Sequence, residues 1–303
     1  MHGRTGHSHS KAQSAMEYLM TYGWAILIIA VVLGALFQLG VFNTSNFAPR
    51  VQPGACYVAR PYGVGSTQFM TLQGQCNEGL PEYVAEFNGA AYILASDAPQ
   101  IDITNNLTVS IWVYQALSKG GGQFMLTHNA TSSGAYRVGF NGGAETEDFY
   151  LQYASGAGVD YLYTPSVSPL QKWVMFTMTY NYPSNSISIY YNGVQSPLQV
   201  GVSPASVLKS SGQLLIGGVF TSGVYMFNGS LSNVQIYNAT LTANEISSLY
   251  SEGIGGAPVR LLNLAAWYPL NGNANDYSGN NNNGAATSVT YTSAWTSQYT
   301  GPV

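Results

Sequence analysis

Between Tyr18 and Pro49 the chain contains no Asp, Glu, Lys or Arg, and that run limits the surroundings its residues can occupy. Its apolar core, Trp24 to Phe42 (WAILIIAVVLGALFQLGVF), approaches the ~20 residues that a helix rising about 1.5 Å per residue needs to cross hydrocarbon. Arg4 and Lys11 precede it, which favours a cytoplasmic N-terminus and sends everything after Phe42 to the outside. No small-residue cleavage site follows the apolar stretch between Gln38 and Ala48, so removal of the helix as an ordinary secretory signal is not expected. Ala30 and Gly34, four residues apart, offer a small-residue face for close helix approach.

The residues ahead of the apolar core, Lys11-Ala-Gln-Ser-Ala-Met-Glu-Tyr-Leu19, resemble the archaeal class III, or type IV pilin-like, signal peptide. The resemblance implies a prepilin peptidase cutting between Ala12 and Gln13. It also implies insertion in the cytoplasmic membrane before assembly, and identical or related pilin subunits as partners through the helix. A cut there would create an α-amino group four residues before Glu17, on the same helical face. Glu17 could pair with that amine, or with the amine of a neighbouring subunit and so set helix register. A glutamate at headgroup level, with neither role, is the alternative.

Composition excludes one class of partner. Charged residues make up 7% of the chain, the formal net charge is -4, and Lys plus Arg number nine, too few for the basic stripe that nucleic acid demands. Gly and Tyr are abundant, at 34 and 23 residues, as in many exported β proteins whose surfaces rely on neutral hydrogen-bonding groups. The two cysteines, Cys56 and Cys76, lie just beyond the apolar segment. In an exported chain such a pair suits a disulfide better than a metal site, the alternative being two small buried hydrophobes.

After a Pro- and Gly-containing connector (Pro49, Pro53, Gly54) the pattern turns to short alternating runs. Leu107, Val109, Ile111 and Val113 share one face of a strand, with Thr108, Ser110, Trp112 and Tyr114 on the other, which predicts a half-buried strand. Val174, Phe176, Met178 and Tyr180 repeat the alternation. So do Ile187, Ile189 and Tyr191, ahead of an Asn192-Gly193 hairpin turn. Further strands are expected at 123–128, 135–140, 149–154, 158–163, 213–219 and 231–237. Numerous strands with short loops predict a mainly β fold, a two-sheet antiparallel sandwich of jelly-roll type behind a long N-terminal helix. One soluble helix is expected over 243–251, opened by the capping box Thr242-Ala-Asn-Glu245, with Ile246, Leu249 and Tyr250 on its buried face.

The order of these pieces resembles the laminin G-like, or concanavalin A-like, jelly roll. The matching stretches are Val84 to Gly89 with Tyr92-Ile93, Leu107 to Tyr114, Trp173 to Gly193, and Phe227 to Tyr237 leading to Leu241 through Ile246. Leu264-Ala-Ala-Trp-Tyr268 and the residues after it look like the family's first strand, yet they follow the last. About forty residues remain beyond Leu264, too few for a second sandwich. A circularly permuted domain, with 264–290 supplying a strand, is the favoured reading, and donation of that strand to a neighbouring subunit is the alternative. The expected organisation is a cleavable leader at 1–12, a pilin-like helix at 13–45, a connector at 46–79 and a sandwich at 80–303.

Candidate site residues are sparse. Asn271, Asn273 and Asp276 sit in an Asn-rich loop with the hard oxygen donors that calcium takes, although such loops more often simply turn; calcium is the one cofactor worth testing. Glu145, Glu147 and Asp148 form the densest acidic cluster, and a glycosidase would need two carboxyls about 5 to 9 Å apart. Their spacing differs from the Glu-x-Asp-x-x-Glu pattern of glucanases that share the sandwich. His2, His7 and His9 belong to the leader and leave His128 without an evident constellation. Trp112 and Trp267 could stack on sugar rings, but aromatics on sandwich faces are more often packing. Asn43, Asn106, Asn129, Asn228 and Asn238 each begin a glycosylation sequon. The function expected is that of a non-enzymatic filament subunit displaying a lectin-like sandwich for adhesion at the cell surface. A membrane-anchored glycan- or protein-binding module that never polymerises is the second reading, and an extracellular glycoside hydrolase the third.

Overall fold

The computed structural model describes residues 9–39, 41, 48–76, 79–117, 122–129, 135–141, 146–152, 158–163, 170–182, 184–197, 207–209, 211–219, 223 and 225–302, without the side chains at 9–17, 19, 141–152 and 158–163. The chain divides into two units, Met1–Phe47 and Ala48–Val303.

Among the described residues the first unit forms the helix His9–Gln38. Its stretch Met20–Gln38 has a mean hydropathy of 2.2 and none of it is buried within the chain; Trp24 and Ile26 are 66% and 65% exposed. By length and composition this helix is apolar enough to cross a membrane.

The second unit is the expected antiparallel sandwich. One sheet has the order Gly158–Tyr163, Thr146–Gln152, Tyr136–Asn141, Gln123–His128, Leu214–Ile216, Tyr92–Ala95, Gly284–Thr287. The other runs Val194–Ser196, Ser186–Tyr191, Trp173–Asn181, Leu107–Gln115, Asn228–Tyr237, Val84–Asn88, Thr290–Thr292. Between them lies the core predicted from the alternation: Leu107, Val109, Ile111 and Val113 meet Val174, Phe176, Met178, Ile187 and Ile189. The Asn192-Gly193 turn takes positive φ at both residues, 49° and 79°, as a two-residue hairpin turn requires. The strand expected over 213–219 spans only Leu214–Ile216, because Gly217 adopts φ 99° and turns the chain out of the ladder.

The strand Leu107–Gln115 departs from expectation in being buried on both faces. Trp112 and Tyr114 point away from the inter-sheet core into a second apolar layer with Trp173, Ile246, Leu249, Ile254, Trp295 and Tyr299. Trp112 stacks on Tyr250 at 5.8 Å and meets Tyr299 edge-on at 5.5 Å, so it is a packing residue. The polar residues on that face are satisfied internally. Thr108 Oγ1 donates to the Ala239 carbonyl at 2.7 Å and accepts from Leu241 N–H. Ser110 and Thr177 hydroxyls bond at 2.9 Å. The cover comes from the helix Ala243–Ser251, from 50–76 and from the C-terminal residues. Thr242 and Glu245 make the predicted capping box; Arg260 adds a fork onto both Glu245 oxygens, at 2.7 and 2.6 Å.

The residues expected to act as a connector are built into the sandwich unit. Arg50–Val51 pairs parallel to Leu80–Pro81, and Cys56–Ala59 pairs antiparallel to Thr71–Gly74. Cys56 and Cys76 are disulfide-bonded. Arg60 donates to the carbonyls of Ser278 and Leu264 at 2.8 and 3.0 Å, tying this segment to the C-terminal loop. The C-terminal residues supply three strands instead of one. Leu264–Tyr268 pairs with Val234–Tyr237 within the chain, Gly284–Thr287 with Tyr92–Ala95, and Thr290–Thr292 with Val84–Glu86.

Candidate functional site

The expected processing bond, between Ala12 and Gln13, and the register residue Glu17 all fall in the helix His9–Gln38; their side chains lie outside the described residues, as does the whole of Asn43, His2 and His7.

The loop expected to gather calcium donors is closed on itself. Asp276 Oδ1 accepts the N–H groups of Trp267 and Ser278, each at 2.9 Å, and Oδ2 accepts that of Asn282 at 2.9 Å. Asn271 Oδ1 accepts from Tyr83 N–H, and its amide donates to the Val51 carbonyl. Asn273 Oδ1 accepts from Asn275 N–H. Three backbone donors per carboxylate are a strong internal set, so these residues order a turn whose oxygens face protein donors and not a shared cation position.

Glu145 lies outside the described residues. Glu147 and Asp148 are consecutive in the strand Thr146–Gln152, at the register positions of Tyr163 and Leu162. Among the sequons, Asn238 is exposed and Asn106 half-buried, its Oδ1 accepting from Tyr182 N–H. Asn228 is half-buried in a central strand, and Asn129 is half-buried at φ 70°. Trp267 is buried, its indole donating to Asn233 Oδ1 at 2.8 Å.

Two arrangements escaped sequence reasoning. The first is a hollow of about 160 Å³ on the second apolar layer, lined by Glu86, Tyr114, Trp173, Thr292, Trp295 and Gln298. Trp173 meets Tyr114 at 5.8 Å and Trp295 edge-on at 6.0 Å, while the Arg50 guanidinium lies 5.4 Å from the Trp295 ring centre. Trp173 and Trp295 are 8% and 3% exposed, so their rings chiefly pack on one another, and the carboxylate of Glu86 and the amide of Gln298 are the hollow's exposed polar groups. Trp295 comes from a tail with no strand-like alternation, which is why only the fold brings it beside Trp173.

The second is a His-Asp-Asp cluster. His128 ends the strand Gln123–His128, and Asp97 and Asp102 lie on the loop after Tyr92–Ala95. One ligand atom from each lies within 4.8 Å of the others, and His128 Nε2 is 3.4 Å from Asp102 Oδ1. Burial pushes the His128 imidazole down to about 4, against the opposing pull of the Asp97 charge and the Gly212 backbone. Burial and the neighbouring Asp97 carboxylate raise Asp102, with Lys209 acting in the other direction. His128 had seemed isolated because its neighbours are some thirty residues upstream, in a loop with no motif of its own.

The profile of the concanavalin A-like lectin/glucanases superfamily matches residues 87–247. Among solved structures, a candidate carbohydrate-binding protein from Bacteroides ovatus superposes with a TM-score of 0.55 at 16% identity, over 74% of this chain and 62% of that one. This chain therefore spans less than two thirds of that protein's length. A heptameric SAP-like pentraxin from Limulus polyphemus superposes with a TM-score of 0.50 at 13% identity, over 69% of this chain and 94% of that one. At these identities the likeness is one of fold. No curated protein matches the sequence.

Proposed function

We propose that this chain, a member of the concanavalin A-like lectin/glucanases superfamily, is a pilin-like subunit that displays its sandwich outside the cell to bind glycan or surface protein. The observation that carries this reading is the helix Met20–Gln38, none of it buried among the described residues and followed in the chain by a unit of lectin-like fold. Nineteen residues of such hydropathy can rest in a bilayer before assembly and against neighbouring helices after it. Release of the leader at Ala12–Gln13 would place a new amine near Glu17 and give the greasy contact a register.

The display role is one of binding and not catalysis. The superposed structures include a candidate carbohydrate-binding protein, and the hollow beside Trp173 and Trp295 presents a carboxylate and an amide, from Glu86 and Gln298, that can bond hydroxyl groups. Glycan is the ligand class to test there first. No nucleic acid enters this reading.

Mass spectrometry of the protein isolated from its native cell surface tests the pilin claim. A chain beginning at Gln13 is expected. A mature chain that retains Met1 overturns it and leaves a membrane-anchored binding module that does not polymerise.

A further inference from the structure

The loop between Tyr92–Ala95 and Leu107–Gln115 carries the chain from one sheet to the other, and its two carboxylates converge on a histidine from a third strand. The His128 ring is fully buried and held flat against Tyr136, with ring centres 4.9 Å apart and planes 23° apart. Neither ring nitrogen nor Asp102 Oδ1 is satisfied by a well-formed hydrogen bond; the Gly212 backbone acts on the imidazole, and the Asp97 carboxylate on Asp102, from close by. Buried polar groups are rarely left so, and an ion is one of the standard reasons. Asp97 is exposed and gives the cluster a side open to solvent, while Asp102 is only 12% exposed at its side chain.

We propose that Asp97, Asp102 and His128 form a binding site for a divalent cation of the zinc type. One imidazole nitrogen with two carboxylate oxygens is a donor set that zinc accepts at about 2.0 to 2.2 Å, with water filling the remaining position. Calcium instead takes six to eight oxygens and no imidazole. The 3.4 Å between His128 Nε2 and Asp102 Oδ1 is the separation that two ligands of one tetrahedral ion have when each is about 2.1 Å from it. A bound ion would answer three features at once: two adjacent carboxylates, a buried imidazole whose nitrogens make no well-formed hydrogen bond, and a ring stacked on Tyr136. It would also pin the sheet-to-sheet crossover to the end of Gln123–His128, and thereby to Leu214, the register partner of His128.

The test uses the full chain in detergent with His2, His7 and His9 replaced by Gln, so that the N-terminal histidines cannot contribute. After treatment with chelator, one equivalent of Co²⁺ should produce visible ligand-field bands. Zn²⁺ at a hundredfold excess over its Kd should raise the thermal midpoint by on the order of 5 °C or more. The Asp97→Asn, Asp102→Asn double variant preserves shape near solvent; it should keep its midpoint in chelator yet lose both the bands and the Zn²⁺ shift. Absence of bands and shift in the parent overturns the proposal, as does a shift of equal size in the double variant. A shift with Ca²⁺ but none with Zn²⁺ overturns the class of cation.

Discussion

The indole N–H of Trp267 donates to Oδ1 of Asn233 at 2.8 Å, joining a residue of the C-terminal strand to a bulge in the central strand Asn228–Tyr237. Asn233 holds φ at 50°, a left-handed conformation that Asn tolerates better than most residues. Its amide reaches the Gly256 carbonyl at 2.8 Å, and Oδ1 also accepts from Gln235. Asn233→Ala should therefore lower stability by about 3 kcal/mol, combining backbone strain with stranded buried partners. Trp267→Phe removes the indole donor together with part of a buried ring and should cost about 2 to 3 kcal/mol. Denaturant unfolding of both single variants and the double variant checks this. The pair should be non-additive, because they share one hydrogen bond.

Asp276 should prove structural. In Asp276→Asn one carboxylate oxygen becomes an amide nitrogen. At Oδ1 it would face the Trp267 and Ser278 N–H groups, and at Oδ2 that of Asn282. A loss of about 2 kcal/mol is expected from charge-assisted bonds converted to a donor–donor clash. The melting midpoint of the chelator-stripped parent should not change when millimolar Ca²⁺ is added. A calcium-dependent rise abolished by Asp276→Asn would contradict this reading.

The Cys56–Cys76 bond spans a sequence separation of 20. Constraint of the unfolded chain over a loop of that size contributes about 3 kcal/mol in the chain-entropy description. Cys56→Ser, Cys76→Ser should lose roughly that amount in denaturant titrations, without change in the far-ultraviolet spectrum of the sheets. Reduction of the parent should reproduce the loss.

Glu245 governs an acid-sensitive component of stability. Burial alone would raise its carboxyl, but the Thr242 N–H, the Arg260 guanidinium and the Thr242 hydroxyl outweigh that and hold it below 4.5. With the folded value below the unfolded one, its contribution is complete above about pH 4.5 and fades as pH falls through the folded value. The stability gap between the parent and Glu245→Gln should therefore be widest near neutrality and narrow below pH 4.5. Arg260→Met should narrow the gap at neutral pH as well. Chemical unfolding of the three proteins across pH 3 to 7 measures both effects.

Alternation made one side of each main strand legible. Leu107 through Val113 and Val174 through Tyr180 announce the inter-sheet core because a period of two is a direct consequence of the pleat. The Asn192-Gly193 turn and the Thr242–Glu245 cap were readable for the same local reason, each being determined within four residues. What covers the opposite face was not. Thr108, Ser110 and Thr177 look solvated in sequence, and only the fold supplies the Ala239 carbonyl and the partner hydroxyls that let them be buried. The hollow at Trp173 and Trp295 and the cluster around His128 are assembled across distant segments, with no spacing for a motif to record.

One edge of Asn228–Tyr237 is shared end to end by Val84–Asn88 and Leu264–Tyr268, and the tail then adds a strand to each sheet. A polypeptide delivered outward from its N-terminus would thus hold the central ladder half unpaired until Leu264 and its successors emerged. Up to that moment the exposed backbone of Val234–Tyr237 is a template for any passing strand. The last segment is the closing stitch of the fabric, and a chain lacking it would leave the backbone of Val234–Tyr237 unpaired on that edge.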